Sequence, residues 1–295
     1  MFAGLTPDLI ALQLFTGLAL GAVYVLLSIG LSLIFGMLTV VNFAHGAFYM
    51  LGAYIGLYAL SLGVNFWVAL LLVPVAVGLV GLAVERTLIR PLYGRGIDYP
   101  LLLTFGLGYV MIEVVRIIFG RTGHPFDTPE LLQGAVDIWI GYFPLYRLFI
   151  IAATAVVLLG LYLFLEKTSF GLIIRAGARD PQIVRILGVD VSKVWLIVFG
   201  IGTGIAGLAG LLAAPLQGVA PEMGATILAE AFVVTVVGGM GSLLGAVLAG
   251  LLVGVVVSMT SLFAPEMAKV SIFALMALVL LVRPQGFFGR AGLMS

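Results

Sequence analysis

Charged side chains are rare in this sequence, so the places where they gather indicate where binding or chemistry takes place. Asp, Glu, Lys and Arg account for 9% of the 295 residues. Residues 166–193 nevertheless hold Glu166, Lys167, Arg175, Arg179, Asp180, Arg185, Asp190 and Lys193. An apolar chain concentrates charge in this way where a segment leaves the apolar phase for water or for a protein partner.

The middle of this charged stretch, with the sequence DPQIVRIL, carries the signals of a short helix. Asp180 is a favourable N-cap, because its carboxylate can accept hydrogen bonds from exposed backbone N–H groups. Pro181 follows in the first turn, where its missing N–H would be unpaired in any case. Gly188 suits the position just past the end of a helix. These residues predict about two helical turns between Asp180 and Gly188.

The predicted helix has an apolar side formed by Ile183, Val184 and Leu187, with Arg185 placed elsewhere. Two isolated turns are not stable in water, so this side must pack on the chain's own membrane domain or on a partner. A solvated, positively charged loop is the alternative interpretation. If a partner binds, the three apolar side chains should anchor the contact and Arg185 should lie at its edge.

Two polar residues lie close together in the sequence, at a break between apolar runs. Asn42 and His45 are three residues apart, on one side of a helical turn. One interpretation is that they line a polar path through the apolar phase. Alternatively, both side chains satisfy backbone groups that the break leaves without partners.

Three further charged residues lie inside apolar segments. Glu113 and Arg116 stand in an i,i+3 relationship, so they either neutralise each other or face a wet cavity that would suit a zwitterion. Glu230 stands alone in a short apolar run. An acid in such a place is a functional-site hypothesis, and the alternative is that it lies near the interface or bonds to a helix end.

Several kinds of chemistry are excluded by the residues present. A phosphate-binding loop needs Gly-Lys before Ser or Thr, whereas Lys167, Lys193 and Lys269 follow Glu, Ser and Ala. The two histidines, His45 and His124, cannot form the H-E-x-x-H motif of a metalloprotease. The sequence therefore predicts neither ATP hydrolysis by this chain nor a bound metal or cofactor, and its composition argues against nucleic-acid binding.

The elements that position these residues are membrane spans. Mean hydropathy is +1.27, and residues 9–84 contain no Asp, Glu, Lys or Arg. Runs of about 20 apolar residues predict an all-α polytopic membrane protein with eight to nine transmembrane helices. We place these spans at residues 9–35, 47–62, 66–84, 101–119, 143–165, 194–212, 246–263 and 270–282. Residues 227–237 are apolar but short, which favours a broken or re-entrant helix if they do not cross.

The distribution of Lys and Arg predicts the orientation. Basic clusters at residues 86–95, 167–193 and 283–290 should be cytoplasmic. If residues 227–237 cross the membrane, the chain has nine crossings and all three clusters lie on the cytoplasmic side. The N-terminus is then outside and the C-terminus inside. The whole chain, residues 1–295, is then one transmembrane domain with a cytoplasmic loop at residues 166–193.

The sequence resembles the LivH-type permease subunits of branched-chain amino acid ABC importers. Four stretches carry the resemblance, and they cover nearly the whole chain in order. They are GLSLIFGMLTVVNFAHGAFYMLGAY (residues 30–54), ERTLIRPLYGRGIDYPLLLTFGLG (85–108), GLIIRAGARDPQIVRILGVDVSKV (171–194), and AEAFVVTVVGGMGSLLGAVLAGLLVG with RPQGFFG (229–254 and 283–289). Family members often carry an acid after the His-Gly pair, and this chain has Ala47 there.

The resemblance implies an importer permease fold in a bacterial inner membrane. It implies a second, LivM-like permease, two cytoplasmic ATP-binding subunits and a periplasmic substrate-binding protein as partners, besides membrane lipid. It also implies that residues 171–194 dock on an ATPase subunit, with coupling residues Arg175, Arg179, Asp180, Ile183, Val184, Arg185 and Leu187. Branched-chain amino acids are the implied cargo; urea, short amides and other amino acids, or a self-contained secondary transporter, are the alternatives.

Overall fold

The computed structural model of the chain describes residues 6–38, 40–96 and 98–289, and most of them are helical. The α-helices are, in chain order, α1 (Pro7–Leu38), α2 (His45–Ser61), α3 (Phe66–Val84), α4 (Asp98–Phe119), α5 (Leu145–Lys167), α6 (Ser169–Gly177), α7 (Pro181–Ile186), α8 (Val191–Gln217), α9 (Met223–Gly238), α10 (Leu243–Phe263) and α11 (Ala268–Val282). A π-helical turn (Glu85–Ile89) and a 3₁₀ turn (Arg90–Leu92) extend α3. Further 3₁₀ turns are Glu130–Leu132 and Pro265–Met267.

The prediction of an all-helical polytopic membrane protein is confirmed. Among the described residues, seven helices are long and apolar enough to cross a membrane: α1, α3 with its extension, α4, α5, α8, α10, and α11 with the turn before it. Helices α2 and α9 are shorter, with 17 and 16 residues. At 1.5 Å per residue they are about 24–26 Å long, against a hydrocarbon core of about 30 Å. The predicted eight to nine crossings therefore depend on α2 and α9, and crossing by α9 stays a prediction.

One β-hairpin departs from the all-α expectation. Strands β1 (Ala135–Asp137) and β2 (Tyr142–Pro144) pair antiparallel, with Val136 opposite Phe143. The apolar pattern places this segment, residues 120–142, in the loop between two predicted spans. Asp137 accepts a hydrogen bond from the backbone N–H of Trp139 at 2.9 Å, and Gly141 adopts a φ of 142°, which together close the turn.

Within the described residues, one compact unit contains residues 6–28, Asp127–Val156 and residues 230–289. Inside it, α1 and α10 pack through small residues. A Cβ placed on Gly21 would lie 2.9 Å from Leu251 Cα. The hydroxyl of Ser258 on α10 donates to the Gln13 carbonyl on α1 at 2.7 Å. Close backbone approach and interhelical hydrogen bonds are the usual means of helix association in lipid.

The other compact unit contains Ile29–Phe126 and Val157–Ala229. Its centre is the packing of α2 and α3 on α8. Gly52 and Gly210 are required there, because a Cβ on Gly52 would collide with the backbone of Gly207, and one on Gly210 with the carbonyl of Tyr49. This unit contains the whole charged stretch between α5 and α8.

Candidate functional site

The charged stretch between α5 and α8 is built from two short capped helices. Thr168 caps α6 by accepting from the Gly171 N–H at 3.0 Å. Asp180 caps α7 by accepting from the N–H groups of Gln182 and Ile183 at 2.9 and 3.1 Å. The predicted N-cap and the short helix after it are therefore confirmed, with Gly188 at a φ of 82° just past the end. The stretch predicted as a loop is mostly ordered helix.

The exposed apolar side of α7 differs from the prediction. Ile183 is 56% exposed and Leu187 is 75% exposed, but Val184 is only 5% exposed. Val184 therefore packs on the chain itself, and the expectation that it shares an outward face with Ile183 and Leu187 is wrong. Ile186, which the prediction omitted, is 84% exposed. We call Ile183, Ile186 and Leu187 the α7 ridge.

The arginines of this stretch have different surroundings. Arg175 on α6 forms an ion pair with Glu166 near the end of α5, which ties the two helices together. Arg179 is exposed in the turn before α7. The guanidinium carbon of Arg185 lies 5.5 Å from the centre of the Trp195 ring on α8. Arg185 therefore has a contact within the chain, which its predicted place at the edge of an interface did not include.

The aromatic contact continues from α8 toward α3. The Trp195 and Tyr93 ring centres are 4.9 Å apart, in an edge-to-face arrangement. The Tyr93 hydroxyl donates to Glu85 Oε1 at 2.7 Å, and Glu85 is fully buried in the π-helical turn. Burial, followed by the hydrogen bond to Glu85, raises the pKa of Tyr93, so the hydroxyl stays protonated and acts as the donor. Sequence reasoning missed Tyr93 and Glu85, which no local motif connects to residues 171–194.

Asn42 and His45 lie at the break between α1 and α2, and both are buried. Asn42 Oδ1 accepts from the Ala44 N–H at 3.1 Å, and Thr104 on α4 accepts from the Phe43 N–H at 3.1 Å. The Asn42 and Thr104 side chains thus bond to backbone N–H groups that the break leaves outside a helix. For Asn42 this agrees with the interpretation in which it satisfies the backbone. His45 is the first residue of α2, and a Cβ on Gly30 would come within 3.2 Å of its ring.

Glu113 and Arg116 neutralise each other, and a third residue joins them. Arg116 donates to Glu113 Oε2 and to Glu222 Oε1, both at 2.8 Å. Arg116 lies in the last turn of α4, and Glu222 lies in the connection between α8 and α9, so the pair ties these elements together. The hydrogen bond from Arg116 lowers the pKa of Glu222. The sequence offered only one clue to Glu222, a lone acid in a Pro- and Gly-rich break.

Glu230 is half-buried on α9, and its Oε2 accepts from the Tyr24 hydroxyl on α1 at 2.7 Å. The acid that stood alone in the sequence therefore has a partner within its own unit. Across the described ranges, no group of three or more His, Cys, Asp or Glu residues is arranged to hold a metal ion.

Long apolar helices with a capped, charged helical segment between two of them define a polytopic membrane protein. Comparison with known proteins identifies the class further. Residues 13–280 match the family described as branched-chain amino acid transport system, permease component. The chain belongs to this family of membrane transport permeases.

Individual relatives align along most of the chain. The permease protein BraD of Pseudomonas aeruginosa is 32% identical over 94% of this chain and 95% of its own length. LivH of Escherichia coli K12 is 30% identical over the same shares. LivM of the same strain is 30% identical over 90% of this chain and 67% of its own length. All three are named high-affinity branched-chain amino acid transport system permease proteins, so the chain is similar to both kinds of permease.

Proposed function

We propose that this chain is one of two permease subunits of an ABC importer in a bacterial inner membrane, and that it carries branched-chain or related amino acids into the cytoplasm. The relatives named for this transport support the cargo. All of residues 1–295 form the permease domain, and residues 166–193 are its cytoplasmic coupling segment. The second permease is a LivM-like chain, and a periplasmic binding protein delivers the substrate.

The α7 ridge is the observation that carries the energy-coupling part of this proposal. Three large apolar side chains, Ile183, Ile186 and Leu187, project from a helix that the chain caps and holds in place. A cluster of exposed apolar residues among charged ones is typical of a protein contact. Arg179 and Arg185 are exposed and adjoin the ridge in sequence, and a polar rim around an apolar centre is the usual anatomy of an interface.

Energy for transport comes from two cytoplasmic ATP-binding subunits that dock on this ridge and on its counterpart in the second permease. This chain hydrolyses no ATP itself, because none of its lysines lies in a phosphate-binding loop. The ion pair between Arg175 and Glu166 supports coupling, since it connects the docking segment directly to the end of α5.

The pathway residues are proposed from burial and chemistry. Asn42, His45 and Glu230 are polar groups within an apolar chain, and a zwitterionic amino acid needs such partners to cross. Glu113 and Arg116 complete the proposed pathway residues, and Arg116 also forms an ion pair with Glu222. Urea or short amides as cargo, and a secondary transporter, are the alternatives; the few intramembrane acids disfavour ion coupling.

Reconstitution into vesicles tests the proposal. The chain, its LivM-like partner, the ATP-binding subunits and the binding protein should together give leucine uptake that requires ATP. Leu187→Asp puts a charge into the docking contact and should reduce ATP-driven uptake at least tenfold, about 1.4 kcal/mol, at normal membrane abundance. Uptake that follows an ion gradient without ATP would contradict the proposal.

Two variants serve as controls. Leu187→Met keeps an apolar side chain of similar volume and should retain uptake. Val184→Asp places a charge in the chain's own interior and should reduce membrane abundance, because an unpaired buried charge destabilises the fold. Equal loss of abundance in Leu187→Asp and Val184→Asp would mean that the ridge is a folding surface.

A further inference from the structure

A continuous set of side-chain contacts runs from α7 to the end of α3. Arg185 stacks on Trp195, Trp195 packs against Tyr93, and Tyr93 donates a hydrogen bond to Glu85. Arg185 is adjacent in sequence to Ile186 of the α7 ridge. These contacts therefore connect the helix that carries the α7 ridge to the end of α3.

Glu85, at the end of this set, has a second partner within reach. Arg90 Nε lies 3.8 Å from Glu85 Oε1, the same oxygen that accepts from Tyr93 at 2.7 Å. That separation is too long for a hydrogen bond. Within the described residues, Glu85 Oε2 and Arg90 Nε and Nη2 are buried and have no hydrogen-bond partner.

Unpaired buried polar atoms are costly, and these atoms belong to two groups of opposite charge. A movement of about 1 Å would bring the Arg90–Glu85 separation to the normal hydrogen-bond length. The structure pairs Glu85 Oε1 with the Tyr93 hydroxyl, and a second arrangement would pair that same oxygen with Arg90. The carboxylate lies in a π-helical turn, a local irregularity that often occurs at functional sites.

We propose that Tyr93 and Glu85 are positioning residues for energy coupling, and that Glu85 exchanges its Tyr93 partner for Arg90 when docking on the α7 ridge displaces Arg185 and Trp195. This inference rests on the proposed function. It assigns the coupling step at the end of α3 to a change in the hydrogen-bond partner of Glu85, with Trp195 and Tyr93 as the link to the α7 ridge. Such a two-state element is what coupling between two sites requires.

Variants that favour one partner over the other test the exchange in the complete importer. Tyr93→Phe keeps the ring contact with Trp195 and removes the donor, which favours the Arg90 pairing regardless of docking. The ratio of leucine imported to ATP hydrolysed should then fall roughly tenfold, the effect of one hydrogen bond to a charged group. Affinity for the ATP-binding subunits should stay unchanged, because the α7 ridge is intact.

Two other variants favour the Tyr93 pairing. Arg90→Gln removes the competing charge, and Glu85→Gln still accepts from Tyr93 but attracts Arg90 less. Both should slow ATP hydrolysis and uptake together and leave their ratio unchanged. Tyr109→Phe is the matched control, since this exposed tyrosine lies outside the set of contacts. A purely structural role would instead lower abundance in all three variants without changing the ratio.

The result also separates this inference from the proposed function. Wild-type vesicles without ATP-driven uptake would contradict the proposed function. If wild-type vesicles show normal uptake, and Tyr93→Phe gives the same ratio of leucine imported to ATP hydrolysed as Tyr109→Phe, only the proposed exchange is overturned. The same phenotype in Tyr93→Phe and Arg90→Gln would also overturn it, because the two changes favour opposite pairings.

Discussion

The guanidinium of Arg185 lies over the ring of Trp195, with 5.5 Å between its central carbon and the ring centre. This contact changes what substitution of Arg185 should do. At an interface edge the change to Ala would have little effect. Here it removes a cation–π contact that holds α7 against α8.

We therefore expect Arg185→Ala to reduce ATP-driven uptake by about 2- to 5-fold, which corresponds to one exposed cation–π contact. Arg185→Lys keeps the charge and should retain most of the uptake. Binding of the ATP-binding subunit and uptake in vesicles measure the effect. Identical uptake by Arg185→Ala and wild type would mean that the contact is incidental.

Asp180 should control the stability of α7. Asp180→Ala removes both cap hydrogen bonds and should destabilise the helix by about 1 kcal/mol, whereas Asp180→Asn keeps an acceptor and should change it little. Hydrogen exchange at the amides of Gln182 and Ile183 reports the effect directly. Unchanged protection in Asp180→Ala would show that tertiary packing alone holds α7.

Membrane orientation can be tested cleanly because the chain contains no cysteine. A cysteine at Gln182 should react with an impermeant reagent only from the cytoplasmic side, and one at Glu130 only from outside. Both positions are exposed, so burial does not prevent labelling. Labelling of Gln182→Cys in sealed right-side-out cells would contradict the proposed orientation.

The contact between Arg116 and Glu222 should resist mild acid. Its hydrogen bond holds the pKa of Glu222 below the ordinary value of 4.5. A lowered pKa adds stability above the unfolded-state pKa, and that stability is lost as the pH falls through the folded-state value. The melting temperatures of wild type and Glu222→Gln should therefore differ equally at pH 7 and pH 6. A difference that shrinks between these values would contradict the assignment.

Local signals in the sequence predicted the local structure well. Asp180, Pro181 and Gly188 define α7 because caps and breakers act through the nearest backbone groups. Long apolar runs predicted the spans to within a few residues, since hydropathy reflects the membrane directly. The β-hairpin was missed, although Val136, Tyr142 and Phe143 have high β propensity, because the segment is short and includes glycine and charge.

Contacts between distant residues could not be predicted in the same way. Arg116 and Glu222 are 106 positions apart, and only the fold brings them together. The sequence also left open which face of α7 is buried. At about 100° per residue, Ile183, Val184, Ile186 and Leu187 spread over about 160° of the helix circumference, so their spacing does not indicate which of them faces the chain's own interior.

The glycine contacts between α2 and α8 have a mechanical consequence. Where Gly52 meets Gly207 and Gly210 meets Tyr49, backbone touches backbone, so no side-chain rotamer can yield under load. We expect the two helices to behave as a single stiff rod. Helix α8 begins after its N-cap Asp190, shortly after the α7 ridge in the chain, and α2 begins at His45. A displacement of one helix should therefore move the other by the same amount, because the contact has no flexible side chains that could absorb it.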